Sequence, residues 1–178
     1  KVSIAVAMHW TARTAVENER SVVMLGQGSD ELFGGYKRFA TILGERGSEA
    51  ALKAMSESIR RSHEVNYQRD EQAVSSLRAE LRLPFATRKM VEFASTVPLA
   101  MKVRSSSDNL RKWILRDAAV RLGIPPTVVM RPKKAIQHTS GIEKAIREIA
   151  KRHGSSPFAY LGGRFRTLRD KSVPNWIR

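Results

Sequence analysis

The chain has 178 residues, contains no cysteine and carries a formal net charge of +15. This length suffices for one domain with a sizeable core or for a large part of a bigger domain. The absence of cysteine excludes disulfides and thiolate metal sites, and the four scattered histidines lack the spacing of a zinc site. Since no apolar run approaches the roughly 20 residues of a membrane-spanning helix, we expect a cytoplasmic protein with no membrane partner.

The predicted elements begin with a helix over residues 2–18, where Ile4, Met8 and Ala12 recur at helical spacing. The apolar run 22–25 predicts a short strand, and its uninterrupted apolar character favours burial on both faces in a parallel sheet. Apolar residues at three- and four-residue spacing predict further helices over 47–63, 68–81, 87–96, 108–122 and 139–153. We expect Ser107 or Asp108 to cap the 108–122 helix at its start and Gly123 to lie at its end.

This pattern predicts a mainly α fragment of an α/β domain with one unpaired parallel strand at about 22–25. A single strand leaves its backbone groups unsatisfied, so we expect its sheet partners in a missing N-terminal part or in a complementary subunit. The sequence starts at Lys1, which also suggests an excised part of a longer protein. We place the domain portion at 1–153 and a loose or partner-dependent basic tail, rich in Gly, Ser and Arg, at 154–178.

The positive charge is concentrated in the second part of the chain. Residues 99–178 contain 18 Lys and Arg against 5 Asp and Glu. Such asymmetry indicates an anionic partner, which could be a nucleotide, pyrophosphate, nucleic acid or an acidic surface. A solvated basic face is the alternative explanation.

The segment GQGSDELFGGY, residues 26–36, follows the predicted strand directly. Gly26, Gln27 and Gly28 allow a ligand to approach the backbone closely. If a nucleotide binds here, Asp30 is best explained as a ligand of Mg²⁺, because a carboxylate facing a polyphosphate is repulsive unless a metal lies between them. Alternatively, Asp30 and Glu31 simply begin a helix, where acidic residues are favoured. A dinucleotide fingerprint is excluded, since Glu31 stands at the position of its third glycine.

GQGSDELFGGY resembles the corresponding segment of the asparagine synthetase family, in its C-terminal synthetase domain. The similarity continues through RDEQAVSSLRAELRLPF (69–85), RKWILRDAA (111–119) and RPKKAIQ (131–137). The details AAVRLGI and PKKAIQ are most similar to the divergent asparagine synthetase domain-containing proteins. The resemblance implies the C-terminal part of an adenine-nucleotide α-hydrolase-like fold, that is, a PP-loop ATP pyrophosphatase.

The resemblance also implies an activity. A carboxylate, aspartate-like, attacks the α-phosphate of ATP to give an acyl-adenylate and pyrophosphate, and ammonia then displaces AMP to leave an amide. ATP and Mg²⁺ would be the cofactors.

By position, the resemblance assigns cofactor binding to Gly26, Gln27, Gly28 and Asp30, and metal binding to Asp30 and Glu31. It assigns catalysis to Lys133 and Glu80, and contact with the carboxylate substrate to Arg69, Asp70 and Arg82. Without the resemblance, Lys133 is one more basic surface residue and Glu80 with Arg82 an ordinary ion pair. Trp113, Ile114 and Leu115 are expected in the core, and Tyr36 and Phe39 in packing.

The sequence departs from the family at three places. The serine-glycine-glycine-x-aspartate-serine phosphate loop is absent from these residues, so this chain alone should be inactive. Gln27 replaces a glutamate and has no group that could serve as a general base. Thr87 stands in PFATRK where the family carries an aspartate. A catalytically degenerate relative that binds nucleic acid or protein through its basic second half is therefore the alternative function.

Overall fold

The computed structural model describes residues 2–161, the side chains of residues 137 and 138 excepted. Among the described residues, 8–134 form one compact unit, and 2–7 together with 135–161 form a second. Every candidate site residue lies in the first unit. Most of the predicted basic tail, residues 162–178, lies outside the described residues, so the boundary at 153 stays a prediction.

The described elements are mostly helical. They are, in chain order, α1 (Val2–Glu17), β1 (Val22–Met24), α2 (Ser29–Leu32), α3 (Lys37–Arg60), a π-helical turn (His63–Tyr67), α4 (Gln68–Ser75), β2 (Glu80–Arg82), a 3₁₀ turn (Pro84–Ala86), α5 (Arg88–Thr96), a 3₁₀ turn (Leu99–Met101), α6 (Trp113–Arg121), α7 (Pro126–Val129), α8 (Ile136–Thr139) and α9 (Ile142–Arg152).

The prediction of a single unpaired strand is wrong. β2 pairs with β1 in parallel, with Val22 opposite Glu80 and Met24 opposite Arg82. The sequence concealed β2 because Glu80-Leu81-Arg82 offers only one apolar residue and follows a helical pattern without a break. The predicted helix over 68–81 therefore ends early, at Ser75. A mainly helical chain with a two-stranded parallel sheet fits part of an α/β domain.

The expected burial of β1 on both faces is also wrong within the described part of the chain. Val23 is buried, whereas Val22 is 47% and Met24 69% exposed. Parallel strands in complete domains are covered on both faces. One face of β1 is therefore exposed in the part of the chain that the structure describes.

Most predicted helices are confirmed, with shifted ends. α3 runs from Lys37 to Arg60 with a kink at Gly47, whose φ of 81° and ψ of 179° are not helical, so the predicted helix over 47–63 corresponds to the part of α3 that follows the kink. α6 begins at Trp113, after Lys112, so the expected cap at Ser107 or Asp108 is wrong. Gly123, with φ of 79°, follows the end of α6 as predicted. Among the described residues, no helix is long and apolar enough to cross a membrane.

The core that supports the motif is built around Leu32 and Phe33, which are 1% and 0% exposed. Ile114 and Leu115 pack against this core, as predicted, and so does Phe85, whose ring meets that of Phe33 edge-on with centroids 6.1 Å apart. Because Leu32 and Phe33 come two and three residues after Asp30, their burial fixes the segment that carries the candidate site.

Candidate functional site

The loop that follows β1 is held tightly around Gly28. Gly28 has φ of 95°, a conformation that glycine adopts without strain. A Cβ atom at this position would lie 2.8 Å from the Tyr67 hydroxyl oxygen. Ser29 Oγ donates to the carbonyl of Gly26 at 2.8 Å, which closes the loop on itself. The loop therefore has one well-defined shape at the end of β1.

Asp30 lies between two lysines. Its carboxylate forms ion pairs with Lys112 Nζ and Lys133 Nζ, each at 3.1 Å, and is about one-fifth exposed. Gly35 leaves space for this arrangement, since a Cβ atom there would fall on the Asp30 carboxylate. This explains the glycine at position 35, since any side chain there would collide with the carboxylate of Asp30.

Lys112 is brought to this cluster by unusual backbone geometry. Arg111 and Lys112 have φ of 54° and 52°, a left-handed conformation that is costly for residues with a Cβ. Asp108 stabilises the segment because its carboxylate accepts hydrogen bonds from the backbone N–H groups of Leu110 and Arg111, at 3.0 and 2.9 Å. The Arg111 guanidinium donates to the carbonyl of Gly35 at 2.9 Å, which ties the segment to the motif. The strained backbone thus occurs where Lys112 reaches Asp30.

Glu31 points into the protein and is 2% exposed. Its Oε1 accepts hydrogen bonds from the Tyr36 hydroxyl at 2.6 Å and from Asn66 Nδ2 at 2.7 Å. The Lys133 ammonium lies 5.4 Å from the centroid of the Tyr36 ring. Tyr36 was predicted to serve packing alone, and it does pack against Phe39 with ring centroids 5.7 Å apart. Tyr36 therefore also contacts both Glu31 and Lys133.

Gln27 connects the loop to α4. Its Nε2 donates to Asp70 Oδ2 at 2.9 Å, while Arg69 Nε donates to Asp70 Oδ1 at 2.8 Å. Burial raises the pKa of the Asp70 carboxyl, and the hydrogen bonds from Arg69 and Gln27 act in the opposite direction. An amide at position 27 suits this contact, because it donates to a carboxylate that a glutamate would repel.

Glu80 and Arg82 form an ion pair with each other at 2.6 Å, and both side chains are more than half exposed. This is the ordinary surface ion pair, which is one of the two interpretations of the sequence. The backbone of Arg82 lies at the same end of the sheet as the loop, because its carbonyl accepts from Leu25 N–H at 3.0 Å.

The structure thus brings together two groups of predicted site residues. Asp30 and Lys133 are in direct contact, and Gln27, Arg69 and Asp70 form a second connected group. Sequence analysis missed Lys112 and Asn66 and assigned Tyr36 too limited a part. No local pattern distinguishes Lys112 from the other basic residues, since its position depends on two left-handed residues that the sequence does not announce.

The carboxylates fit a limited role in metal binding. Mg²⁺ is commonly held by one or two carboxylates together with phosphate oxygens and water. Asp30 has a partly exposed carboxylate of this kind, and no group of three or more His, Asp or Glu side chains suited to a metal is found among the described residues. Glu31 is engaged by Tyr36 and Asn66 inside the protein, so its assignment as a metal ligand stays a prediction that this conformation does not favour.

Several basic residues of the second part serve the interior and not a surface. Lys102 is 4% exposed, and its ammonium donates to the carbonyl of Ala94 at 2.6 Å. The Arg116 guanidinium donates to the carbonyls of Arg111, Leu110 and Val129. These groups, with the buried Arg111, reduce the number of basic side chains that remain for an external partner.

The chain is a mainly helical part of an α/β domain. The glycine loop after its parallel strand β1 and the carboxylate between two lysines form a candidate anion-binding site. The family model described as asparagine synthase matches residues 2–75 and 45–172. The chain therefore belongs to the asparagine synthase family.

Individual relatives agree with this assignment. A Methanocaldococcus jannaschii protein named "Putative asparagine synthetase (glutamine-hydrolyzing) 1" is 32% identical over 88% of this chain and 34% of its own length. The mouse protein named "Asparagine synthetase domain-containing protein 1" is 31% identical over 72% of this chain and 21% of its own length, and the human protein of that name is 30% identical over 72% and 20%. The resemblance to both kinds of relative is confirmed. The chain spans about a fifth to a third of the length of these relatives.

Proposed function

We propose that the chain forms part of an ATP-dependent ligase that joins ammonia to an activated carboxylate. Membership of the asparagine synthase family supports amide formation in general, and an aspartate-like acid as substrate is part of the proposal. The observation that carries it is the position of Asp30 between Lys112 and Lys133, directly after the glycine loop. Two ammonium groups at a surface loop provide the positive charge that a polyphosphate requires.

In the proposed reaction, a carboxylate oxygen of the substrate attacks the α-phosphorus of ATP. The bond between this phosphorus and the bridging oxygen breaks, and pyrophosphate leaves with the bonding electron pair. Lys112 and Lys133 would bind the oxygens on which this negative charge develops, which lowers the barrier. Ammonia then attacks the acyl carbon, AMP leaves as the carbon–oxygen bond breaks, and the nitrogen loses a proton to give the amide.

Asp30 would hold Mg²⁺, which when bound neutralises phosphate charge and orients the phosphates. Gly26 would face the nucleotide, since a Cβ atom at that position meets nothing within 4 Å and the space beside it is open. Gln27 has no titratable group that could transfer a proton to or from the substrate. Its proposed part is to keep the loop next to Asp70 through their hydrogen bond.

The substrate side is proposed at Arg69 and Asp70, with Glu80 and Arg82 on β2. Arg69 and Asp70 are joined to the loop through Gln27, which supports their proximity to the nucleotide. Glu80 and Arg82 are exposed and can exchange their mutual ion pair for contacts with a carboxylate and an ammonium group of an amino acid.

The remaining part of the sheet is proposed to come from a further segment of the same domain or from a complementary subunit. In the parallel ladder, Leu25 N–H donates to Arg82 and Glu80 N–H donates to Ser21. Backbone groups alternate in direction along a strand, so those of Val22 and Met24 point away from β2 and are available for another strand. The family's phosphate loop, which these residues lack, would be brought in by that part.

The test is ATP–pyrophosphate exchange catalysed by the complete protein with Mg²⁺ and a panel of carboxylic acids. We expect exchange that requires an acid, and a loss of at least about 100-fold in Asp30→Asn, Lys112→Ala and Lys133→Ala. Lys134→Ala is the matched control, because this neighbouring lysine is exposed. A folded protein that gives no exchange with any acid would refute the proposal.

The second candidate function is a degenerate relative that binds nucleic acid through its basic residues. The charge of residues 99–178 favours it, while the internal use of Lys102, Arg111 and Arg116 weighs against it. Binding through phosphate contacts should weaken steeply with salt, with a slope set by the number of contacts. Salt-dependent binding to single-stranded or duplex nucleic acid, together with no exchange activity, would favour this second function.

A further inference from the structure

The ring of Tyr36 lies beside the Lys133 ammonium, which also forms an ion pair with Asp30. The Nζ atom of Lys133 lies 5.4 Å from the ring centroid, within the range of a cation–π contact. The ring itself is held by three contacts. Its hydroxyl donates to the buried Glu31 at 2.6 Å, and its centroid lies 5.7 Å from that of Phe39, which is 0% exposed. The Arg38 guanidinium lies 4.9 Å from the same ring centroid.

We propose that Tyr36 is a positioning residue that holds Lys133 at the candidate phosphate site, and that Glu31 fixes the tyrosine in place. This inference rests on the proposed function and deepens it. A lysine side chain has four rotatable bonds, so an ammonium in one position requires more than its ion pair. Asp30 attracts Lys133 less once its carboxylate shares its charge with a metal ion. The ring contact is unaffected by that change and keeps Lys133 beside the phosphates.

Glu31 strengthens this arrangement. It is 2% exposed and accepts from both Tyr36 and Asn66, so the tyrosine is held by a buried, fixed acceptor. A phenol that donates to a carboxylate is polarised, which increases the electron density of its ring and its attraction for a cation. Burial, together with the hydrogen bond to Glu31, raises the pKa of Tyr36, so the residue stays protonated and serves as a donor and not as a base.

The first test measures the lysine directly by NMR, without any ligand. Because of the ring current of Tyr36, we expect the ε-methylene signal of Lys133 upfield of the ε-methylene signals of the other lysines. The signal that disappears from the spectrum of Lys133→Arg is assigned to Lys133. Tyr36→Leu should remove this upfield shift, and Tyr36→Phe, which keeps the ring but loses the hydrogen bond to Glu31, should retain part of it. Trp10→Leu is the matched control, since Trp10 makes a cation–π contact with Arg13 at 4.9 Å elsewhere in the same unit.

An unchanged Lys133 signal in a folded Tyr36→Leu protein would overturn the inference. Tyr36→Phe keeps the ring and most of the packing volume, so its Lys133 signal can still be compared with that of the wild type if Tyr36→Leu does not fold. A Lys133 signal without an upfield shift in folded wild type and in Tyr36→Phe also overturns the inference.

The second test measures the affinity of the complete protein for pyrophosphate with Mg²⁺ by calorimetry. We expect the Kd to rise about threefold to tenfold in Tyr36→Leu and less than about threefold in Tyr36→Phe, in line with the usual strength of a cation–π contact. Lys133→Ala should weaken binding more than either. If Lys133→Ala weakens binding but Tyr36→Leu does not, the positioning role is refuted and the proposed function stands.

If wild type neither binds pyrophosphate nor catalyses exchange, the proposed function fails. The ring-current experiment then still decides whether Tyr36 positions Lys133, because it requires no ligand.

Discussion

Gln27→Glu would restore the residue that synthetases of this family usually carry, and we expect it to destabilise this protein in a strongly pH-dependent way. The side-chain nitrogen of Gln27 donates to Asp70 Oδ2 at 2.9 Å, and Asp70 is 0% exposed. A glutamate here would place a second carboxylate against a buried one. The substitution thus replaces an attractive contact by a repulsive one with almost no change in volume.

The magnitude follows from the separation. Two unit charges 2.9 Å apart repel by about 6 kcal/mol at an effective dielectric constant of about 20. The pair avoids this repulsion if the introduced glutamate keeps its proton and donates its O–H to Asp70. Holding the proton costs about 1.4 kcal/mol for each pH unit above the reference pKa of about 4.3. The penalty is therefore capped at about 4 kcal/mol at pH 7 and at about 1 kcal/mol at pH 5.

The sign of the pH dependence follows from the direction of the pKa shift. The neighbouring carboxylate raises the pKa of the introduced glutamate above its value in the unfolded chain. Stability is then retained below about pH 4.3 and lost as the pH rises, until the folded-state pKa is reached.

Urea denaturation between about pH 4.5 and 7.5 measures this effect, since the range starts near the reference pKa of glutamate. Gln27→Met is the control, because it removes the hydrogen bond without adding a charge and should cost about 1.5–3 kcal/mol. The free energy of unfolding of Gln27→Glu should fall relative to Gln27→Met by about 1.4 kcal/mol per pH unit over at least part of this range. Parallel curves for the two variants would refute the reasoning, and with it the contact between Gln27 and Asp70.

Three further predictions follow from single side chains. Burial lowers the pKa of Lys102, so the free energy of unfolding of the wild type should rise as the pH increases through the folded-state pKa towards the unfolded value of about 10.4. Lys102→Met should be as stable as the wild type or up to about 2 kcal/mol more stable at about pH 7, and should lose this pH dependence. Urea denaturation at about pH 7 and pH 10 tests both expectations. Gly35→Ala should cost about 1–3 kcal/mol and displace Asp30, whereas Gly26→Ala, where a Cβ meets nothing, should stay within about 0.5 kcal/mol of wild type; equal losses in thermal unfolding would contradict this difference. Asp108→Ala should cost about 2–4 kcal/mol, because it leaves buried N–H donors without an acceptor, and a loss below about 1 kcal/mol in chemical denaturation would count against that account.

The helices show how far local pattern reaches. Apolar periodicity predicted α1, α5, α9 and the second half of α3, because an amphipathic helix has an apolar residue on its buried face every three or four residues. β2 was not predicted, because Glu80-Leu81-Arg82 has one apolar residue and forms a strand only by pairing with β1, where Val22 lies 58 residues before Glu80. Strand pairing is a long-range interaction, and a three-residue strand has too little local signal to reveal it.

The candidate site was likewise predictable only in part. The motif at 26–36 indicated the glycines and Asp30, since a close approach to the backbone requires glycine and a carboxylate is recognised from the residue type alone. Lys133 came from resemblance to the family, and the structure places it against Asp30 at 3.1 Å. Lys112 and the link between Glu31 and Tyr36 were not foreseen, because each depends on groups that meet only after the chain folds.

The sequence by itself determined the family, the helical character and the loop that carries Asp30, because these depend on residue type and on spacing along a single element. Only the tertiary structure decided that β1 pairs with β2, that Glu31 is buried and that Lys112 and Lys133 share one carboxylate. These features join residues from 35 to more than 100 positions apart, as the contacts of Glu31 with Asn66 and of Asp30 with Lys133 show. The packing of Leu32 and Phe33 fixes the segment that carries Asp30, whereas the basic side chains that reach Asp30 come from distant parts of the chain and have no local signature.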